Sequence, residues 1–266
     1  MIKKILIYNS GGGLGDSIQL FDLILSLKNK FTKTEFFYIG AHINHFNKSL
    51  LDYNIPINSL DLNLKYFGFR WWHIFVVRKR FKSKDHKKFD LIIDLQSKIR
   101  NTLILKMIPT DQFYSSTLNF NLCSKKSNFS KVKYNIDTII KNISSLISED
   151  IAYKSYTIDL INKKFHDEAI KILPKDNYIG FSLTQGNLYR KKSWPIEKFI
   201  EVANEVVKRK DIPVFFVQKN HSEIIQQIKN HVKEAIFPEE LSTLKGPAFV
   251  TALSSRLKQA ITIDNG

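Results

Sequence analysis

The sequence predicts an α/β protein of two doubly wound, Rossmann-like domains facing each other across a cleft, the second of them incomplete. Three observations carry this reading. Strand and helix signals alternate from residue 4 to residue 147, the pattern of a parallel sheet covered by helices on both faces. The alternation pauses around Pro174 and restarts at residue 178. A glycine-rich turn, Gly11-Gly12-Gly13-Leu14-Gly15-Asp16, joins the first strand to the first helix.

The elements follow in order from apolar spacing. The run Ile5-Leu6-Ile7-Tyr8 is a buried strand, 4–8, and the apolar residues from Ile18 to Leu27 repeat at helical spacing, predicting a helix over 17–29. A strand over 35–39, a helix near 44–52 and a basic, aromatic segment over 64–84 come next. Strand 90–95 leads into helix 97–107, then a strand near 112–116, a Ser-, Asn- and Lys-rich loop over 117–132 and a helix near 134–147. After a connector whose helix, 163–173, ends at Pro174, the second alternation reads strand 178–183, helix 195–209, strand 213–217, helix 221–233, helix 247–258 and strand 260–264. The domains are therefore drawn as 1–155, a connector 156–175, and 176–266. The last strand is apolar and expected in the centre of its sheet, and no covering helix follows it before Gly266, so the second domain is expected to be cut short.

The glycine turn lets a ligand approach the backbone closely, and the helix that follows favours negative charge at its start. Asp16 fits poorly beside a phosphate and suits either a helix cap or a base. The dinucleotide fingerprint needs glycine where Asp16 stands, and the second strand ends in Gly40-Ala41 without a ribose-binding acid. No P-loop run occurs.

Composition narrows the class further. With 43% hydrophobic and 25% charged residues the chain reads as a globular protein, and one cysteine excludes an internal disulfide framework and argues for a reducing compartment. No apolar run approaches the roughly 20 residues of a membrane span. The net charge of +16 is either solvated lysine in a chain rich in Lys, Asn, Ile and Phe, or attraction to an anionic partner. The seven histidines are scattered, and no D-x-D pair is present, so no metal is expected. Segment 64–84, with Arg70, Arg78, Lys79 and Arg80 among its aromatics, leaves open packing on the core, an anionic membrane surface, or nucleic acid. None of the familiar nucleic-acid motifs appears, so nucleic acid is not an expected partner.

Four segments in register carry a resemblance: the turn ending Gly15-Asp16, Phe89-Asp90-Leu91-Ile92-Ile93-Asp94-Leu95-Gln96, the strand–loop–helix from Ile179 to Lys192-Ser193-Trp194-Pro195, and Ala260-Ile261-Thr262-Ile263-Asp264-Asn265-Gly266. Together they resemble glycosyltransferase family 9, the bacterial lipopolysaccharide heptosyltransferases, whose fold is GT-B. The resemblance implies an acceptor-binding first domain, a nucleotide-sugar-binding second domain, and inverting, metal-independent sugar transfer. It implies ADP-heptose as co-substrate with no other cofactor. An anionic glycolipid acceptor would be met in the cytoplasm, at the inner face of the inner membrane. By resemblance Asp16 is the base, held by the turn with Gly12, Gly13 and Gly15. Thr184 and Lys192, with Asp264, Asn265 and Gly266, hold the donor diphosphate, and Arg70, Arg78, Lys79, Arg80 and Arg100 meet acceptor or membrane. The family's histidine three residues past the last glycine would lie beyond Gly266. Two rivals remain: a transferase of another nucleotide sugar, and a non-catalytic protein that binds anionic glycan or membrane.

Overall fold

The computed structural model describes residues 2–9, 13–40, 44–60, 69–82, 88–131, 135–183 and 194–263. The chain divides into two compact units, Met1–Leu51 with Ile55–Thr157, and Asp52–Asn54 with Ile158–Gly266.

The first unit is a five-stranded parallel sheet in the order β3-β2-β1-β4-β5, formed by β1 (Lys4–Tyr8), β2 (Glu35–Ile39), β3 (Asn58–Ser59), β4 (Phe89–Asp94) and β5 (Thr110–Ser115). The chain runs outward from β1 to β3 and then returns to β4 on the other side of β1. The strand order therefore reverses between β1 and β4, and open α/β sheets bind ligands beyond the carboxyl ends of the strands at such a point.

Burial of both sheet faces explains the continuous apolar runs of β1 and β4. Leu6, Tyr8 and Ile92 face Val77 and Phe81 of α3 (His73–Lys82) and Ile104 and Leu105 of α4 (Ile99–Leu105) in one core. The alternate residues Ile5, Ile7, Leu91 and Ile93 are also fully buried, on the opposite face. Helices α2 (Phe21–Lys30) and α5 (Ile136–Ile147) pack against each other, and α5 reaches β5. The start of β1 is held by Asp90, whose Oδ2 accepts the Lys3 and Lys4 amides at 2.7 and 2.8 Å. The unit extends to Thr157 because the segment after α5 is tied to α2. The Lys154 amide donates to Ser26 Oγ at 2.8 Å, and the Tyr156 amide to Asp22 Oδ1 at 2.7 Å.

The second unit has the parallel order β7-β6-β8 for β6 (Tyr178–Ser182), β7 (Ile212–Phe216) and β8 (Leu257–Thr262). A stack of rings forms its core: Phe181 lies on Phe215 at 4.8 Å and Phe215 on Phe237 at 5.6 Å between centroids. Phe199, Ile200 and Ala203 of α7 (Ile196–Lys208) and Ile225 and Ile228 of α8 (Ser222–His231) close over it. Beyond the short α9 (Pro238–Leu241), α10 (Pro247–Ser254) packs on α6 (Lys163–Ile172). Residues 52–54 count with this unit through Tyr53, whose hydroxyl meets Thr251 Oγ1 at 2.7 Å, and Asn54, which donates to the Leu160 carbonyl at 2.7 Å.

Several expected boundaries move. The helix over 17–29 begins earlier and is broken into α1 (Leu14–Ile18) and α2, because Leu20 donates to the Ser17 carbonyl and turns its side chain into the core. The helix near 44–52 resolves into two single turns, His45–Asn47 and Leu51–Tyr53, each burying one aromatic ring, Phe46 and Tyr53. Pro195 stands just before α7 rather than in its first turn. The helix over 247–258 stops at Ser254: Ser254 and Ser255 hydroxyls turn back onto the carbonyls of Val250 and Ala252, and Arg256 is drawn to the carbonyls of Leu173 and Lys175. The strand placed at 260–264 starts at Leu257, and among the described residues it stands at one side of the sheet, paired with β6 alone, where a central place was expected.

Gly40 shows why β2 ends without an acid: a Cβ there would come within 2.6 Å of the Tyr38 ring. That ring is buried and packs edge-on against Phe46 at 5.0 Å. Gly40→Ala is expected to destabilise the first unit by about 1–3 kcal/mol through overpacking. Thermal unfolding of the variant measures it, and an unchanged midpoint would show that the ring moves at no cost.

Candidate active site

Asp16 sits in the first turn of α1, directly after β1, at the carboxyl edge of the first sheet. Its Oδ2 accepts the Gly13 amide at 3.2 Å, half of a capping box, with the glycine unable to return a side-chain bond. Its backbone carbonyl accepts Asn9 Nδ2 at 3.3 Å. Gly13, Gly15 and Asp16 are all exposed. A Cβ at Gly13 would lie 3.3 Å from Asp16 Oδ2, so glycine there leaves the carboxylate its room. Beneath, the Tyr38 hydroxyl bonds the Ser17 side chain; burial, followed by the charge of Asp16, moves this phenol up to about 12. Asp16 is thus a capping residue whose carboxylate stays exposed.

The neighbouring strand ends in a buried polar network. Asp94 is 1% exposed. Its Oδ2 accepts Thr102 Oγ1 at 2.6 Å and Ser115 Oγ at 2.8 Å, and its Oδ1 accepts Gln96 Nε2 at 2.9 Å. Burial raises the Asp94 carboxyl above the usual range, while these donors, Thr102 first, act to lower it. Gln96 completes the turn, its Oε1 accepting the Lys98 amide at 2.5 Å. Asp90 ties one end of β4 and Asp94 the other, so the Phe89–Gln96 run is scaffold for the ligand edge. Cys123 belongs to the same frame: the Ser115 amide donates to its sulfur at 3.4 Å, and burial pushes the thiol up.

Arg100 lies in the first turn of α4, over the reversal point. Its Nε is buried and has no hydrogen-bond partner among the described residues. A buried cationic nitrogen without an acceptor is costly unless an anion supplies one. Its charge is felt at Tyr8, whose hydroxyl accepts Asn101 Nδ2 at 2.8 Å and whose ring stacks on Phe69 at 5.2 Å. It is also felt at His73, which is 2% exposed and accepts the Arg70 amide on Nδ1 at 3.0 Å. Burial, then Arg70 and Arg100, lower the His73 imidazole below its usual value, so it stands neutral. Arg70, Arg78 and Lys79 are exposed and Arg80 is half-buried.

Gly12, Thr184, Lys192, Asp264, Asn265 and Gly266 lie outside the described residues. Reasoning from sequence missed Tyr8, Tyr38, His73, Asn101 and Thr102. The strand residues read only as core, and Asn101 and Thr102 acquire meaning only when α4 docks against β4. Among the described residues no group of three metal-ligating side chains gathers, and no helix is long and apolar enough to cross a membrane.

Two parallel α/β units in sequence are the architecture of the GT-B fold class. The chain belongs to glycosyltransferase family 9 (heptosyltransferase), whose profile matches residues 77–264, and it is a heptosyltransferase-like glycosyltransferase. A family 9 glycosyl transferase from Veillonella parvula DSM 2008 shares the fold at a TM-score of 0.64 and 17% identity, over 98% of this chain and 74% of that one. The E. coli heptosyltransferase WaaC with ADP matches at 0.63 and 11% identity, over 98% of this chain and 81% of that one. A UDP-GlcNAc 2-epimerase from Methanocaldococcus jannaschii matches at 0.55 and 10%, over 98% and 78%. No curated protein sequence matches the chain.

The buried carboxyl sets a pH dependence. Its folded value is raised above the ordinary 3.8, so the folded state keeps a proton that the unfolded chain releases. Stability from this group is therefore greatest below that ordinary value and declines as pH rises towards the folded one. Asp94→Asn is expected to flatten this decline, while Asp94→Ala strands three donors and costs about 3 kcal/mol. Denaturant unfolding across the acid range checks both, and equal pH slopes in wild type and Asp94→Asn would contradict the assignment.

Proposed function

We propose that this glycosyltransferase moves heptose from ADP-heptose to an anionic glycan of the lipopolysaccharide-core type, with inversion and without a metal. The observation that supports it most is the pairing of chemistry at one sheet edge: an exposed carboxylate, Asp16, after β1, and an orphaned guanidinium nitrogen, Arg100, after β4. Asp16 takes the proton of the acceptor hydroxyl as its oxygen bonds to the anomeric carbon. The bond from that carbon to the diphosphate breaks, and its electron pair leaves with ADP. Lys192 neutralises the departing diphosphate, the role a metal would otherwise take, and Thr184 and the Asp264-Asn265-Gly266 segment supply neutral contacts to it. Arg100 holds an acidic group of the acceptor. The ADP bound by WaaC supports the nucleotide; the fold shared with a UDP-sugar epimerase keeps another nucleotide sugar as the alternative donor.

The acceptor surface extends along α3. This helix buries His73, Val77 and Phe81, yet its Phe75 and Val76 are 73 and 44% exposed, Trp71 and Trp72 in the turn before it are 56 and 52% exposed, and Arg78 and Lys79 are exposed as well. Aromatic residues flanked by cations suit the headgroup region of an anionic membrane, where a glycolipid acceptor resides. We place the protein on the cytoplasmic face of the inner membrane on this ground.

Asp16→Asn is expected to reduce transfer from ADP-heptose by roughly 100-fold or more, with little change in melting temperature. Parallel losses of activity and stability would return Asp16 to capping alone. Lys192→Ala is expected to weaken ADP far more than adenosine by calorimetry; equal weakening would remove it from the phosphate role. Replacing Trp72, Phe75, Arg78 and Lys79 with Ser is expected to release the protein from vesicles rich in anionic lipid, most visibly at low salt. Vesicle binding that survives these changes would exclude this face.

A further inference from the structure

Helix α1 carries Asp16 and is only five residues long. A helix of that length does not hold its own geometry in water, so its orientation comes from what it packs against. The one residue of α1 that is buried is Ser17, at 1% exposure, while Ile18 beside it is 37% exposed. A helix on a sheet ordinarily turns its apolar residues inward. Here the isoleucine is the more exposed of the two, and a hydroxyl takes the inward place.

A buried hydroxyl is costly without partners, and Ser17 has two. Its Oγ donates to the Gly13 carbonyl at 3.5 Å, and the Tyr38 hydroxyl is hydrogen-bonded to the same side chain. With the serine proton turned to Gly13, the phenol is the donor of the second bond. It keeps its proton through the neutral range, since burial moves it up to about 12. The ring that carries it is fixed. Tyr38 is 1% exposed and packs on Phe46, which lies 6.2 Å from Phe21 between ring centroids. Its carbonyl accepts the Leu60 amide at 3.0 Å, which anchors its backbone at the β3 side. Glycine at position 40 leaves the phenol its place, because a Cβ there would come within 3.1 Å of the hydroxyl oxygen.

These bonds form a chain. Tyr38 reaches Ser17, Ser17 reaches the Gly13 carbonyl, and the Gly13 amide donates to Asp16 Oδ2 at 3.2 Å. A second tie starts from the next residue of the same strand. The Ile39 carbonyl accepts the Asn9 amide at 3.1 Å, and Asn9 Nδ2 donates to the Asp16 carbonyl at 3.3 Å. The end of β2 therefore holds both the backbone and the carboxylate of a residue that follows β1. Apolar contact is non-directional and would let so short a helix turn about its axis. Hydrogen bonds weaken steeply as their angles open, so this chain fixes the rotation of α1.

We propose that Tyr38 is a positioning residue: through Ser17 and Gly13, its hydroxyl sets the direction in which Asp16 presents its carboxylate. The proposal rests on the transferase reading for its consequence in catalysis, and on the hydrogen-bond chain alone for the anchoring. A base must stand within hydrogen-bond reach of the hydroxyl it deprotonates. A carboxylate swung aside lowers the rate of bond making while leaving substrate binding as it was. Tyr38 itself lies beneath α1 and touches neither substrate.

Two measurements on the full chain test this separately. Tyr38→Phe removes the hydroxyl and keeps the ring, and Ser17→Ala removes the middle link with a residue that favours helix. In protein labelled with ¹⁵N-glycine, the Gly13 amide signal is expected to move as acid protonates Asp16, and to stay still in Asp16→Asn. Tyr38→Phe and Ser17→Ala are each expected to remove most of that movement. In transfer assays each is expected to lower kcat about tenfold with both substrate KM values unchanged. The double variant is expected to lose no more than either alone, since both cut one chain. In an Asp16→Asn background, Tyr38→Phe is expected to cost nothing further. A Gly13 signal indifferent to both substitutions overturns the proposal. So does an active enzyme whose kcat ignores them, or losses that multiply in the double variant, even where the melting temperature falls. A Gly13 signal that responds as expected in a protein that transfers no sugar leaves the anchoring standing and refutes the transferase reading instead.

Discussion

The buried carboxylate of Asp94 is the constraint on which the first unit's ligand edge depends. One side chain at the end of β4 joins Thr102 of α4, Ser115 of β5 and the Gln96 turn. A charge taken out of water is costly unless such partners surround it, and here three separate pieces of chain supply them. The network fixes the ends of β4 and β5 and the start of α4 relative to one another at the carboxyl edge of the sheet. Arg100, in the first turn of α4, stands on the helix that this network anchors through Thr102. Removing the carboxylate would therefore loosen the whole carboxyl edge around β4 and not one contact alone.

Much of the framework was legible in the sequence because its signals are local. β1 and β2 fall at 4–8 and 35–39 as expected, since each is a short apolar run bounded by turn residues. The glycine turn likewise declared an exposed carboxylate at a strand end. Legibility failed where a residue's role depends on distant chain. Ser254 and Ser255 end α10 by turning onto its own carbonyls while Arg256 reaches Leu173, and nothing in the apolar spacing of 247–258 signals that. Leu20 looks like one more helical apolar residue and instead breaks the helix. Asp94 could be matched as part of a motif, but its partners at 102 and 115 become partners only once β5 pairs with β4. The orphaned nitrogen of Arg100 is a property of packing and has no signature in sequence.

Helix α3 shows how one element serves two environments. Residues 73, 77 and 81 form the stripe that covers the sheet, at the spacing of an ordinary surface helix. Of the residues between them, Arg78, Lys79 and Arg80 are basic as in such a helix, whereas Phe75 and Val76 are apolar and exposed, as are Trp71 and Trp72 just before it. Segment 64–84 is ambiguous in the sequence because apolar residues stand on the exposed side as well as the covered one, and periodicity cannot report which is covered.

The distribution of tryptophan has an optical consequence. The chain has three, and Trp71, Trp72 and Trp194 are each about half exposed, whereas the cores of both units are filled with phenylalanine and tyrosine. Intrinsic indole emission from this protein is therefore a surface signal. It should be red-shifted in the free molecule and sensitive to added quenchers. Collapse of either interior would change it little, and would be followed better by tyrosine absorbance or far-ultraviolet dichroism. A blue shift, if one appears, reports that something has covered α3 or the approach to α7, which makes the unlabelled protein its own sensor of contact.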